Sequence, residues 1–86
     1  MQDRDLKLFL TVRNREQVVL NEEVKSVTSY NDKGVFDVLP QHINFISLIH
    51  QFLSIRKLNG ETVLIRADNG IMRVYQEKID VFLGLK

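Results

Sequence analysis

Apolar and polar residues alternate with a period of two along most of the chain. In the opening run Leu6, Leu8, Leu10 and Val12 fall on one side, and Asp5, Lys7, Phe9 and Thr11 on the other. Successive side chains of a strand point to opposite faces, so this is a strand with one buried face. Asn14-Arg15 reads as a turn. Val18 and Leu20 then share a face with Val19 opposite, but Val24, Val27 and Tyr30 break strict alternation. An extra residue near Lys25-Ser26, a β-bulge, accounts for the break. Asn31-Asp32-Lys33-Gly34 is a loop by composition. The strand Val35 to Leu39 follows and is stopped by Pro40, which lacks the N–H a ladder needs and belongs at a strand end or edge.

The second half reads as a meander. Phe52 to Leu58 is a strand, and Asn59-Gly60 is the preferred pair of a type I′ turn. Glu61 to Ala67 returns, Asp68-Asn69-Gly70 turns again, and Ile71 to Gln76 runs on through Glu77-Lys78 to the last strand. There Ile79, Val81, Leu83 and Leu85 alternate with Asp80, Phe82 and Gly84. The expectation is an all-β fold, a flattened β-sandwich of two sheets built from about 8–10 short strands. No convincing helix is present; Gln41 to Phe52, the one candidate, is interrupted by β-branched residues. The segment Ile43 to Ile49 stands out because both faces are apolar: Ile43, Phe45 and Ile49 on one, Ile46 and Leu48 on the other. Phe9, Leu64 and Phe82 also lie on nominally outward faces. Clustered, such residues form a partner surface; scattered, they are ordinary.

With 86 residues the chain is a single domain, 1–86, without repeat or linker, and lacks material for a second core around an enclosed active site. Twelve Lys+Arg against 11 Asp+Glu leave a net charge of +1, without the cation surplus a nucleic-acid binder uses to displace counterions. The absence of Cys excludes disulfides and thiol chemistry and fits a reducing compartment. The charged opening Met1-Gln2-Asp3-Arg4-Asp5 is no signal peptide. The most apolar stretch, Ile43 to Ile55, is interrupted by Asn44, Ser47, His50, Gln51 and Ser54 and falls short of the about 20 residues of a membrane helix, so no direct membrane insertion is expected.

Little chemistry is in view. His42 and His50, eight apart, match no metal spacing, and zinc asks for three or four ligands. Glu22 and Glu23 are adjacent and point to opposite faces of a strand, so they cannot converge on one substrate. No phosphate loop and no nucleophile elbow occur. Arg13-Asn14-Arg15, beside Glu16, Glu22 and Glu23, reads as a solvated basic turn. No catalytic, cofactor-binding or metal site is assigned, and no cofactor is expected.

Four segments carry a resemblance. Leu6-Lys7-Leu8-Phe9-Leu10 opens the chain. Glu16-Gln17-Val18-Val19-Leu20 and Glu23-Val24-Lys25-Ser26-Val27-Thr28 follow. Gly34-Val35-Phe36-Asp37-Val38-Leu39-Pro40-Gln41-His42 closes the run. Together they resemble the N-terminal β-sandwich domain of the ε subunit of rotary F-type ATP synthases, where a Gly-x-Phe-Gly-Val-Leu-Pro-Gly-His-type segment follows an acidic-Val-x-Ser-Val-Thr strand. Gly70-Ile71-Met72-Arg73-Val74 resembles a later segment of the same domain.

The resemblance implies a non-catalytic central-stalk (rotor) subunit that binds the γ subunit and the c-ring, couples ion translocation to ATP synthesis and hydrolysis, and sits on the cytoplasmic side, peripheral to the inner (plasma) membrane. By position, His42, Ile43, Phe45, Ile46 and Ser47 are the implied γ-facing residues. Asp32, Lys33, Gly34 and Val35 are the implied ring-facing loop. Val35 stands where the family often has an acid, leaving Asp32 or Asp37 as substitutes. Asp37 and Gln41 replace glycines, and Asp68-Asn69 stands where small residues and a double glycine are common. Family members usually continue into a helical hairpin that carries regulation. A chain stopping at Lys86 is expected neither to inhibit by extension nor to bind ATP. Two alternatives stay open: a generic β-sandwich interaction module with an unrelated partner, and a small β-barrel for single-stranded nucleic acid.

Overall fold

A computed structural model describes residues 7–41 and 44–84, all strand, turn and loop with no helix among them. Six strands follow in order: β1 (Leu8–Arg13), β2 (Val18–Asn31), β3 (Gly34–Val38), β4 (Phe45–Lys57), β5 (Thr62–Tyr75) and β6 (Lys78–Leu83). The all-β class is as expected. The count is lower because three strands are long: β2 and β5 have 14 residues and β4 has 13.

Asp68-Asn69-Gly70 is therefore not a turn. His50 pairs with Asn69 and Phe52 with Arg66, so Ala67 and Asp68 of β5 face the single residue Gln51 of β4. Two residues opposite one make a bulge. The inward set of β5 changes from odd (Val63, Ile65, Ala67) to even (Gly70, Met72, Val74) across it. The expected bulge in β2 is present: the register against β4 shifts between Val24 and Ser26, and the buried positions pass from Val24 to Val27 and Ser29. Bulges let one strand bend from one layer into the next.

These bends close the sheet. Its order is β1-β6-β5-β4-β2-β3, with β1 also paired to β2. Five strands thus form a barrel-like ring rather than two clearly separate sheets, and β3 extends the outer half of β2. The ring-closing contact is a parallel pairing of β1 with β6. Its interior holds one cluster that includes Leu8, Leu10, Val12, Val24, Val27, Val38, Ile49, Leu53, Ile55, Met72, Val74, Ile79 and Val81. Buried Ser29 donates its hydroxyl to the Phe52 carbonyl at 2.7 Å, beside the bulge at Gln51.

Two turns differ from expectation. Gly60 N–H donates to Lys57 O, Lys57 N–H donates to Glu61 O, and Asn59 keeps a negative φ while Gly60 has φ 95°. Leu58-Asn59-Gly60 is therefore a three-residue loop with glycine in the left-handed position, not a type I′ turn. Between β5 and β6 the left-handed pair is Gln76 (φ 50°) and Glu77 (φ 66°), in residues with no glycine-like signature. Pro40 lies in the turn after β3, as expected of it.

Candidate functional site

The two-faced segment resolves into one buried and one bare side. On β4, Phe45, Ser47 and Ile49 point toward the interior, and Phe45 meets Phe36 edge-to-face at 6.0 Å between ring centres. Ile46 is 65% and Leu48 61% exposed. Residues opposed across strands share a face. Leu48 stands opposite Ile71, and Ile71 opposite Phe82, so an apolar row crosses β4, β5 and β6. Beside it Ile46 stands opposite Arg73 and Arg73 opposite Asp80. The Arg73 guanidinium pairs with Asp80 at 2.8 Å and lies over the Tyr75 ring.

The tip of the β2–β3 hairpin approaches the other flank of β4. Asn31 shapes it, its Oδ1 accepting the Lys33 N–H at 2.8 Å, and Gly34 adopts φ 118°, a conformation that favours glycine. The Asn31 amide donates to Ser47 Oγ at 3.1 Å, and His50 Nε2 lies 3.3 Å from Asp32 Oδ1. Asn31, Asp32 and Lys33 line one shallow depression with Ile46, Ser47 and Leu48.

The two candidate sets thus adjoin. Of the implied γ-facing residues, Ile46 faces outward, Phe45 and Ser47 are half-buried, and His42 and Ile43 lie outside the described residues. Asp32, Lys33 and Val35 are exposed at the hairpin. Asp37 accepts a hydrogen bond from Thr28 on the outer side of the strand pair, which leaves Asp32 as the carboxylate at the tip. Leu48, Ile71 and Phe82 join the surface through cross-strand register.

Ion pairs elsewhere are peripheral. Glu23 meets Lys7 and Glu22 meets Lys57, each at 3.4 Å, on different sides of β2 as alternation requires. No group of three or more potential metal ligands occurs among the described residues. No helix among them is long and apolar enough to cross a membrane. Arg13 is not in a solvated turn: it ends β1, half-buried, with its guanidinium carbon 5.2 Å from the Phe82 ring centre.

Comparison with known proteins bears on this geometry. Residues 7–83 match the family model of the ATP synthase delta/epsilon chain β-sandwich domain. An ATP synthase epsilon chain of Sulfurovum is 34% identical over 71% of this chain and 48% of its own length. That of Wolinella succinogenes is 32% identical over 86% of this chain and 57% of its own. The chain spans about half the length of these relatives. A chain in a cryo-EM structure of the Euglena gracilis mitochondrial ATP synthase superposes with a TM-score of 0.86 at 18% identity, covering 91% of this chain and 51% of that one. One from the central stalk and c-ring of the Tetrahymena thermophila enzyme gives 0.76 at 13% identity, over 90% and 63%. At these identities the structural matches speak for the fold.

Proposed function

We infer that this chain, which belongs to the ATP synthase delta/epsilon chain β-sandwich domain family, works as a non-catalytic coupling element of the rotor, held between a γ subunit and a c-ring. The observation that carries this reading is the bare row on β4, β5 and β6. Leu48, Ile71, Phe82 and neighbouring Ile46 form a contiguous outward apolar surface on a small domain, and such a surface marks a partner site. It includes Ile46, one of the residues that the family resemblance assigns to γ, and continues from it along β4 to Leu48. The adjoining hairpin tip offers Asp32, its side chain 91% exposed, to a basic loop of the ring. The role is mechanical: the closed barrel is a stiff block, and two adjacent surfaces let it carry torque from ring to γ.

Size-exclusion chromatography with the cognate γ subunit tests the first contact. Co-elution at micromolar concentration is expected, and separate elution overturns the assignment. The second is tested by cross-linking. Because the chain has no Cys, Asp32→Cys introduces a unique thiol, expected to cross-link to a cysteine in the polar loop of a c subunit within the assembled complex. Absence of that product while a γ cross-link forms would confine the role to γ binding.

A further inference from the structure

The apolar row does not stop at Phe82. In the parallel register of β1 with β6, Phe82 stands opposite Arg13, and Arg13 stands opposite Val18, half exposed on β2. The row therefore crosses the ring from β4 to β2, and its one charged member is Arg13. That side chain is half-buried, whereas Arg56 and Arg66, which also lack a carboxylate partner among the described residues, are exposed to water. Lys7, Lys57 and Arg73 each have a carboxylate, Glu23, Glu22 and Asp80 respectively. Arg13 is held against the Phe82 ring, its Nε–H is buried without an acceptor, and its guanidinium makes no hydrogen bond or ion pair with a described residue.

Stacking fixes the plane of a guanidinium, and the fixed fork of N–H donors matches a carboxylate. An unpaired charge inside an apolar surface is poorly compensated when a partner covers it, unless the partner brings the opposite charge. We propose that Arg13 is the specificity anchor of the docking face: the γ segment lying over Leu48, Ile71 and Phe82 carries an Asp or Glu carboxylate that pairs with Arg13. This inference rests on the docking reading given above and adds the chemistry of the occupant.

The test measures γ affinity for the full chain and for Arg13→Lys, Arg13→Gln, Arg13→Glu and Leu48→Asp, with circular dichroism melts to follow the fold. Arg13→Gln is expected to weaken binding by about tenfold or more and Arg13→Glu further, because one group of a covered charge pair is lost. Arg13→Lys, which keeps the charge without the fork, falls between wild type and Gln. Wild-type affinity drops with added salt, and that of Arg13→Gln drops less. If Arg13→Gln and Arg13→Glu bind within twofold of wild type while Leu48→Asp loses binding, the anchor is wrong and the docking face stands. If Leu48→Asp also binds normally, the docking reading falls and takes the anchor with it. Should Arg13→Glu fail to fold, the Gln and Lys variants decide, since both keep an aliphatic stem over Phe82.

Discussion

Along β4, β5 and β6 the two sides of one stretch of sheet carry the same kinds of residue and meet different fates. Ile49, Met72, Val74, Ile79 and Val81 line the inside and are buried. One position away, Ile46, Leu48, Ile71 and Phe82 line the outside, and only Ile71 of these is not strongly exposed. A closed ring has a single interior, so only one parity of each strand can be enclosed. The outer set is therefore not a leftover of folding. Full burial of one such side chain is worth about 1.5–3 kcal/mol, a gain that folding does not realise on this side and association can. The lesson is that hydrophobicity sets the need for cover, while pairing decides whether the chain itself supplies it.

The comparison breaks most sharply at Ile49. Ile49→Asp puts a carboxylate into the sealed side, where an unpaired charge costs more than a domain of this size has in reserve, about 4–13 kcal/mol at 0.05–0.15 kcal/mol per residue. Far-ultraviolet circular dichroism should show an unfolded chain at 25 °C. A cooperative melt near that of wild type would mean that the inside is not sealed.

Gly70 connects the two sides. It faces inward on β5 where β6 passes closely: a Cβ built there would lie 2.5 Å from the Phe82 carbonyl oxygen and 3.3 Å from Leu83 Cδ2. Backbone cannot swing aside like a side-chain tip, so Gly70→Ala must push β6 outward and carry Phe82 with it. The expected loss is about 1–3 kcal/mol, typical of overpacking, read from urea melts, together with weaker γ binding. Unchanged stability would mean that β5 and β6 yield independently of the outer row.

The complementary change is Ile46→Asp, on the same strand as Ile49 and on its bare side. In the free protein the new carboxylate is solvated, so the melt should move by less than about 0.5 kcal/mol, as for ordinary surface changes. On γ binding the cost should exceed about 1–2 kcal/mol, since apolar residues central to an interface reach that range and a covered charge adds to it. A folded variant that binds γ normally would remove Ile46 from the docking face.

How much of this was legible beforehand follows from which interactions are local. Alternation in β1 and the bulge at Lys25 show in the spacing of apolar residues, because each affects its neighbours' parity. In the sequence Asp68-Asn69-Gly70 reads as a turn because bulges and turns draw on the same residues: each needs short polar side chains or glycine at unusual dihedrals. Only pairing with His50 and Phe52 tells them apart. Closure of β1 on β6 joins residues some seventy positions apart, a contact beyond any window of periodicity. The bare side of β4 was visible as Ile46 and Leu48 opposite Phe45 and Ile49. Its extension to Ile71, Phe82 and Arg13 was not, since register alone aligns them.

The smallest expected effect concerns the residue that divides β4. Gln51 has φ 74° at the point where β5 bulges, the left-handed region in which a Cβ crowds the following carbonyl and costs about 1–2 kcal/mol. Glycine removes that crowding. It also frees the unfolded chain, which offsets about 1 kcal/mol of the gain. Gln51→Gly should therefore be neutral or stabilising by up to about 1 kcal/mol. For a domain this size that is a rise of up to about 4–8 °C in Tm. Gln51→Val, β-branched at the same φ, should destabilise. Calorimetric scans of the pair sharpen the contrast between the two halves of β4, because both variants leave the inner and outer rows untouched. If glycine destabilises by more than about 1 kcal/mol, the glutamine side chain, and not the backbone bend alone, holds the halves of the strand on their separate courses.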